Sequence, residues 1–239
     1  MKRCLAALAL FACACPAYAQ DLYESEVVVT GSRSALEQAN FSSYDSQRPA
    51  VGLRRTADFL VQEVAVRGDT RDGEQRAQEI RAMLNDAVRL AEQHGVDLAF
   101  GESLLTDLTL ANIDELTLQP DSRPDSERIN FLVKARLGAD QSAADAERRI
   151  ARFIEAVPER GRAQMDEWGD SSLSVVGPDS FRDEIISAIA DDAAKQAGKL
   201  GEGYAVEIGG MNTPVQWVRS GLSEVLLYIP YSFRIIPRP

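Results

Sequence analysis

Two hydrophobic periods alternate along this chain, and the alternation limits it to folds in which helices cover a sheet. Ile129, Phe131, Val133, Ala135 and Leu137 recur every second residue, which puts apolar side chains on one face of a strand. Ala77, Ile80, Leu84, Ala87, Val88 and Ala91 recur at three and four, one stripe of a helix between arginine- and glutamate-rich faces. Left alone, that stripe would stay wet, so it has to rest on a sheet or another helix. Read end to end, the order is strand, helix, strand pair, helix, strand, helix, strands. The fold class is α+β.

Local signals punctuate this order. Glu26-Val27-Val28-Val29-Thr30-Gly31 predicts a short first strand, and 32–50, rich in Ser, Gln and Asn, predicts a loop. Extended structure returns over 58–67, and a helix over 72–94 is capped by Asp72 and ended by Gly95. Leu104, Thr106, Leu108 and Leu110 predict a strand continuing to Leu118. The turn-rich 119–125 makes it an antiparallel neighbour of 129–137. Ser142 with Asp145 starts a helix whose inward face is Ala146, Ile150, Phe153, Ile154 and Val157. The charged 159–170 reads as loop, and 172–176 as a strand.

Gly177-Pro178-Asp179 opens a helix carrying Phe181, Ile185, Ile189, Ala193, Ala197 and Leu200 on one side. Acids at its amino end and Lys195 and Lys199 near its carboxyl end match the helix dipole. Gly201 and Gly203 end it before a strand at Tyr204, Val206 and Ile208. In the last stretch Val225, Leu227, Ile229, Tyr231, Phe233 and Ile235 share one strand parity, with Leu226, Tyr228 and Ile236 on the other. Apolar side chains on both parities predict a buried strand or an oligomer interface. Pro230, lacking an N–H, places an edge, bend or bulge within it.

Export narrows the setting. MKRCLAALALFACACPAYA has a basic start, a short apolar core and Ala17-Tyr18-Ala19, so residues 1–19 read as a cleaved secretory signal and the destination as the periplasm of a diderm bacterium. The expected organisation is signal peptide 1–19, an N-terminal strand and polar connection over 20–57, and an α+β domain over 58–239. Cys4, Cys13 and Cys15 all lie in the leader, so no disulfide staples the mature chain. Leu10-Phe11-Ala12-Cys13 loosely resembles a lipoprotein processing site, but the leader before Cys13 is short and Phe11 is bulky. No later apolar stretch is long enough to be a transmembrane span. Cleavage leaves 24 basic against 37 acidic side chains, a formal charge of −13, which disfavours nucleic acid. Apart from Lys134, Lys195 and Lys199, the mature basic residues are arginines, expected in surface ion pairs with the acids.

No residue pattern specifies chemistry. His94, the single histidine, stands beside the helix-ending Gly95 and reads as a C-terminal polar residue. Asp121, Asp125 and Glu127 supply oxygens for calcium but lack EF-hand spacing, and read as a solvated acidic loop. Asp191 and Asp192 are adjacent on a helix and cannot face one another. Gly201-Glu202-Gly203 and Gly209-Gly210 lack the Lys-Ser/Thr of a phosphate loop and read as cap and turn. Catalytic, cofactor and metal residues are therefore assigned to none, and the chain is expected not to be an enzyme.

The leader, the Val-Val-Val-Thr-Gly strand, the 129–137 strand before the middle helix, and the helix with Arg182, Ala190, Ala194 and Gly201 resemble the SIMPL-domain family, also called DUF541. The resemblance covers nearly all of the mature chain, with a long polar insert at 32–50 and an elaborate connection at 114–127 as departures. It implies a mixed fold of antiparallel strands packed against long helices, in an oligomeric envelope protein, in some cases ring- or channel-like, tied to stress tolerance. No catalytic residues carry over. The expected function is thus a non-enzymatic periplasmic envelope protein acting through self-association as a homo-oligomer, with or without a partner protein of the envelope. The alternative is a periplasmic binding or accessory module for a small ligand or partner protein, with a pocket lined by Trp217, Tyr204 or Tyr228.

Overall fold

The computed structural model describes residues 25–29, 50–102, 104–138 and 141–238. The leader at 1–19, Cys13 and the polar connection over 32–49 lie outside the described residues. Along the chain come β1 (Glu26–Val29), β2 (Leu53–Thr56), β3 (Phe59–Gly68), α1 (Gly73–Ala91), β4 (Asp97–Phe100), β5 (Thr106–Asp107), β6 (Gln119–Pro120) and β7 (Glu127–Arg136). Then follow α2 (Ala143–Ala156), β8 (Gln164–Glu167), β9 (Ser172–Val176), α3 (Arg182–Gly198), β10 (Tyr204–Gly209), β11 (Gln216–Arg219), β12 (Glu224–Tyr228) and β13 (Ser232–Pro237).

The ten-residue strands β3 and β7 are the spine. They pair antiparallel along their whole length, with Val64 opposite Phe131 and Val66 opposite Ile129. The central sheet runs β1-β9-β3-β7-β4-β5, with β8 continuing the β9 edge of β3 and β6 pairing with the start of β7. The sheet curls until its ends meet: Val27 bridges Leu104, and the Leu105 N–H donates to the Glu26 carbonyl at 3.1 Å. Leu60, Val64, Val66, Ile129, Phe131 and Val133 share one hydrophobic cluster with Ile80 and Leu84 of α1 and Ile150 and Phe153 of α2. The two helices therefore lie on the face bearing the two-residue period. Gly68 permits the close approach of α1, since a Cβ there would stand 3.1 Å from the Ile80 side chain.

Both caps of α1 follow from sequence. The Asp72 carboxylate accepts the Gln75 N–H at 2.8 Å. At the other end Gly95 has φ 65°. Its N–H donates to the Glu92 carbonyl and that of Val96 to Ala91, the paired bonds of a Schellman turn. Ser142 and Asp145 form a complete capping box on α2. The α+β class is thus present, but the helices are short, with 19, 14 and 17 residues, rather than the long helices expected. At about 1.5 Å per residue α1 runs roughly 28 Å, near the roughly 33 Å of a ten-residue strand; its caps stop it where the sheet stops.

Other expectations need correction. The alternation of Leu104 to Leu110 makes only the two-residue β5, because Asn112 folds the chain back. Its side-chain oxygen accepts the Thr109 N–H at 2.8 Å, while its amide donates to the Asp107 carbonyl at 2.8 Å. Leu104 and Leu110 are exposed, and the second neighbour of β7 is β4. Within the supposed loop at 159–170 lies β8, held by backbone pairing with β3 while Met165 alone of its four side chains is buried. The apolar run after Val225 splits at Pro230. β12 joins a three-stranded sheet with β11 and β2, whereas β13 forms a two-stranded ribbon with β10. Leu200, expected on the inner face of α3, is exposed beyond its end.

Candidate functional site

Two polar clusters and one partly apolar ribbon lie at the margin of the core. The first cluster lies on the face of the central sheet opposite α1 and α2. Lys134 occupies the alternate parity of β7 and is 3% exposed. Its ammonium donates to Glu26 at 2.5 Å and to Asp107 at 3.3 Å, and lies 4.7 Å from the centre of the Phe59 ring. Glu26 also accepts the Ser174 hydroxyl at 2.5 Å. The knot ties β7, β1, β5 and β9 together, and a groove of about 1580 Å³ opens beside it, lined in part by Asp58, Phe59 and Arg136. A buried lysine invites a nucleophile's role, but two carboxylates and an aromatic face hold this one. Ser174 is fully buried, and its hydroxyl is spent on Glu26. The arrangement closes the curled sheet rather than presenting a reacting atom.

The second cluster sits where β3 ends. A cavity of about 480 Å³ is lined by Arg67, Asp69, Asp121, Arg123, Ser126 and Arg162, among others. Arg162 grips Asp69 with two bonds, at 2.6 and 2.8 Å, and Arg123 reaches the same carboxylate at 4.0 Å. The Arg162 guanidinium holds the Asp69 carboxyl below its usual value, and Asp69 in return raises Arg162. Glu79 is lowered by the Thr70 hydroxyl, then by the Arg162 N–H. Asp121 is lowered by the Ser122 N–H and then by Arg128, which bonds it at 3.0 Å.

The residues singled out from sequence scatter. His94 packs edge-on against Phe153 at 6.0 Å in a short turn of 3-10 helix after α1, next to Gly95. Asp121, Asp125 and Glu127 do not converge: Asp121 pairs with Arg128, Glu127 with Arg76 at 2.7 Å, and Asp125 is exposed. Asp191 is exposed while Asp192 accepts from Gln196 one turn on. Gly201 and Gly210 have φ of 107° and 93°, matching their reading as helix end and turn. Trp217 packs against the core and donates to the Val28 carbonyl at 3.3 Å, whereas Tyr204 lies on the β10–β13 ribbon. Tyr204 thus belongs to a different sheet from Trp217 and Tyr228, which lie on the adjacent strands β11 and β12. Lys134 was missed as a structural centre, although its place inside Leu132-Val133-Lys134-Ala135 marks a charge carried into a buried strand.

The partly apolar ribbon is β10 with β13. Ile208 pairs with Phe233 and Val206 with Ile235, and Tyr231 stacks on Phe233 at 6.4 Å. None of the twelve residues in β10 and β13 is fully buried. Ile236 and Tyr204 are 40% and 38% exposed.

No family model and no curated protein matches the chain. Two solved structures from Listeria innocua resemble it weakly. One is an uncharacterized conserved protein, 10% identical over 81% of this chain and 98% of that one, with a TM-score of 0.17. The other is a hydrolase, 12% identical with the same coverage and TM-score. Likenesses at that score carry no argument about fold or chemistry.

Proposed function

We propose that this chain is a non-enzymatic envelope protein of SIMPL type, acting in the periplasm through self-association. The observation carrying the proposal is the ribbon. A two-stranded antiparallel pair is marginal by itself in water, and here α3 leaves every ribbon residue at least partly exposed. Among the described residues, β10 and β13 have no strand partner except one another, so each offers an outer row of backbone donors and acceptors. A second copy supplies both what the edge lacks and apolar cover for Tyr231, Phe233 and Ile235. The leader supports the location, and the sequence resemblance supports the class.

Light scattering on the purified, tag-free protein tests this reading. The native chain is expected to be an oligomer at micromolar concentration, and Phe233→Glu is expected to yield a folded, smaller species. A native monomer throughout that range overturns the proposal.

A further inference from the structure

We infer that the cavity between the end of β3, the 121–126 turn and the 161–164 segment binds a small oxyanion, gripped by Arg123 and Arg162 in place of the chain's own Asp69. Three guanidinium groups, Arg67, Arg123 and Arg162, reach one cavity from three separate segments of a chain whose formal charge is −11. Two carboxylates share the lining. Asp121 is spent on Arg128 and only 7% exposed. Arg67 is engaged by Asp166.

That leaves Asp69 to serve two guanidinium groups. It takes a two-pronged grip from Arg162 and only a 4.0 Å approach from Arg123, whose side chain is 78% exposed. A guanidinium presents five N–H donors in a planar fork suited to carboxylate or phosphate oxygens. Arg162 commits two of them, and Arg123 lines the cavity wall with none at hydrogen-bond distance from Asp69. Ser126 braces the turn that carries Arg123, accepting its N–H at 3.2 Å and donating to its carbonyl at 3.1 Å. Asp69 thus acts as a built-in guest, and a ligand with more oxygens than one carboxylate can satisfy both arginines together.

The test is calorimetric titration of the native protein with inorganic phosphate, repeated with succinate, at constant ionic strength. Saturable binding at millimolar concentration is expected, and the tighter of the two ions names the ligand as phosphate-like or carboxylate-like. Arg123→Gln is expected to weaken binding about tenfold, the worth of one charge-assisted hydrogen bond, with unchanged melting because that side chain is so exposed. Asp69→Asn is expected to tighten binding, since it removes the internal competitor. A structural ion-pair network predicts the opposite pattern: no saturable binding by the native protein or by Asp69→Asn, or binding indifferent to Arg123→Gln. Either result overturns the inference.

Discussion

The central sheet and the C-terminal ribbon use the same kinds of side chain and reach different ends. In β3 and β7, Val64, Val66, Ile129, Phe131 and Val133 meet two helices and are buried to 2% exposure or less. In β10 and β13, Val206, Ile208, Phe233 and Ile235 lie on a ribbon that meets α3 through β10, and they stay partly exposed. Alternation alone does not make a core; what lies above the apolar face does. The central sheet also closes upon itself through β1, whereas the ribbon keeps two outer edges without a strand partner among the described residues. One region closes within a single chain, and the other keeps open edges, which is where the proposed self-association would act.

Removing Glu26 would break that comparison most sharply. Glu26→Ala leaves the buried Lys134 with the 3.3 Å contact to Asp107 as its one remaining ion pair among the described residues, and breaking a buried pair costs about 3–5 kcal/mol. Urea unfolding should show that loss, while Glu26→Leu combined with Lys134→Met should recover much of it. A loss below about 1 kcal/mol, the worth of an exposed pair, would mean that β1 does not close the sheet.

Paired phenylalanine truncations sharpen it next. Phe131→Ala should cost about 3–5 kcal/mol, as truncation of a fully buried ring does. Phe233→Ala, removing a half-exposed ring, should cost the dilute monomer about 1 kcal/mol and weaken association instead. Equal losses in urea melts at low concentration would place the ribbon within the core. A smaller effect belongs to the capping box: Ser142→Ala should cost about 1 kcal/mol, a fall of roughly 2–4 °C in melting temperature for a domain of this size.

Sequence legibility divides along the same line. Helices α1 and α2 were readable because a periodic apolar face and a local side-chain cap coincide in each, and α3, β3, β7 and β9 were readable from their apolar patterns. Asp72, Gly95 and Ser142 act within a few residues of their own positions, so no distant contact can alter their meaning. β2, β4 and β8 were not readable, because partners far along the chain define them. Met165 is the one buried side chain of β8, and nothing local announces it. Leu104 to Leu110 failed in the opposite direction, since the Asn112 turn overrides their alternation. The arginine cavity was invisible for the reason β8 was: Arg67, Arg123 and Arg162 meet only after the sheet has formed. The composition showed only that arginines and acids are abundant enough to pair.

The last and smallest effect separates the two regions by pH. Asp69, Glu79, Asp121 and Asp145 all belong to the central body, and partners hold each carboxyl below its usual value: Arg162 for Asp69, Thr70 for Glu79, the Ser122 N–H for Asp121 and Ser142 for Asp145. A carboxyl lowered by folding adds stability that is whole above its unfolded value, about 4, and disappears as pH falls through the folded value. The ribbon carries the opposite sign. Burial, and then Asp192, push the Tyr231 phenol up, so its contribution is whole below the unfolded value, about 10, and is lost as pH rises through the folded one. Acid should therefore loosen the central body first and alkali the ribbon first. Hydrogen exchange of β7 and β13 amides at the two extremes reads them separately; protection lost in the same order at both would mean that the two regions unfold as one unit.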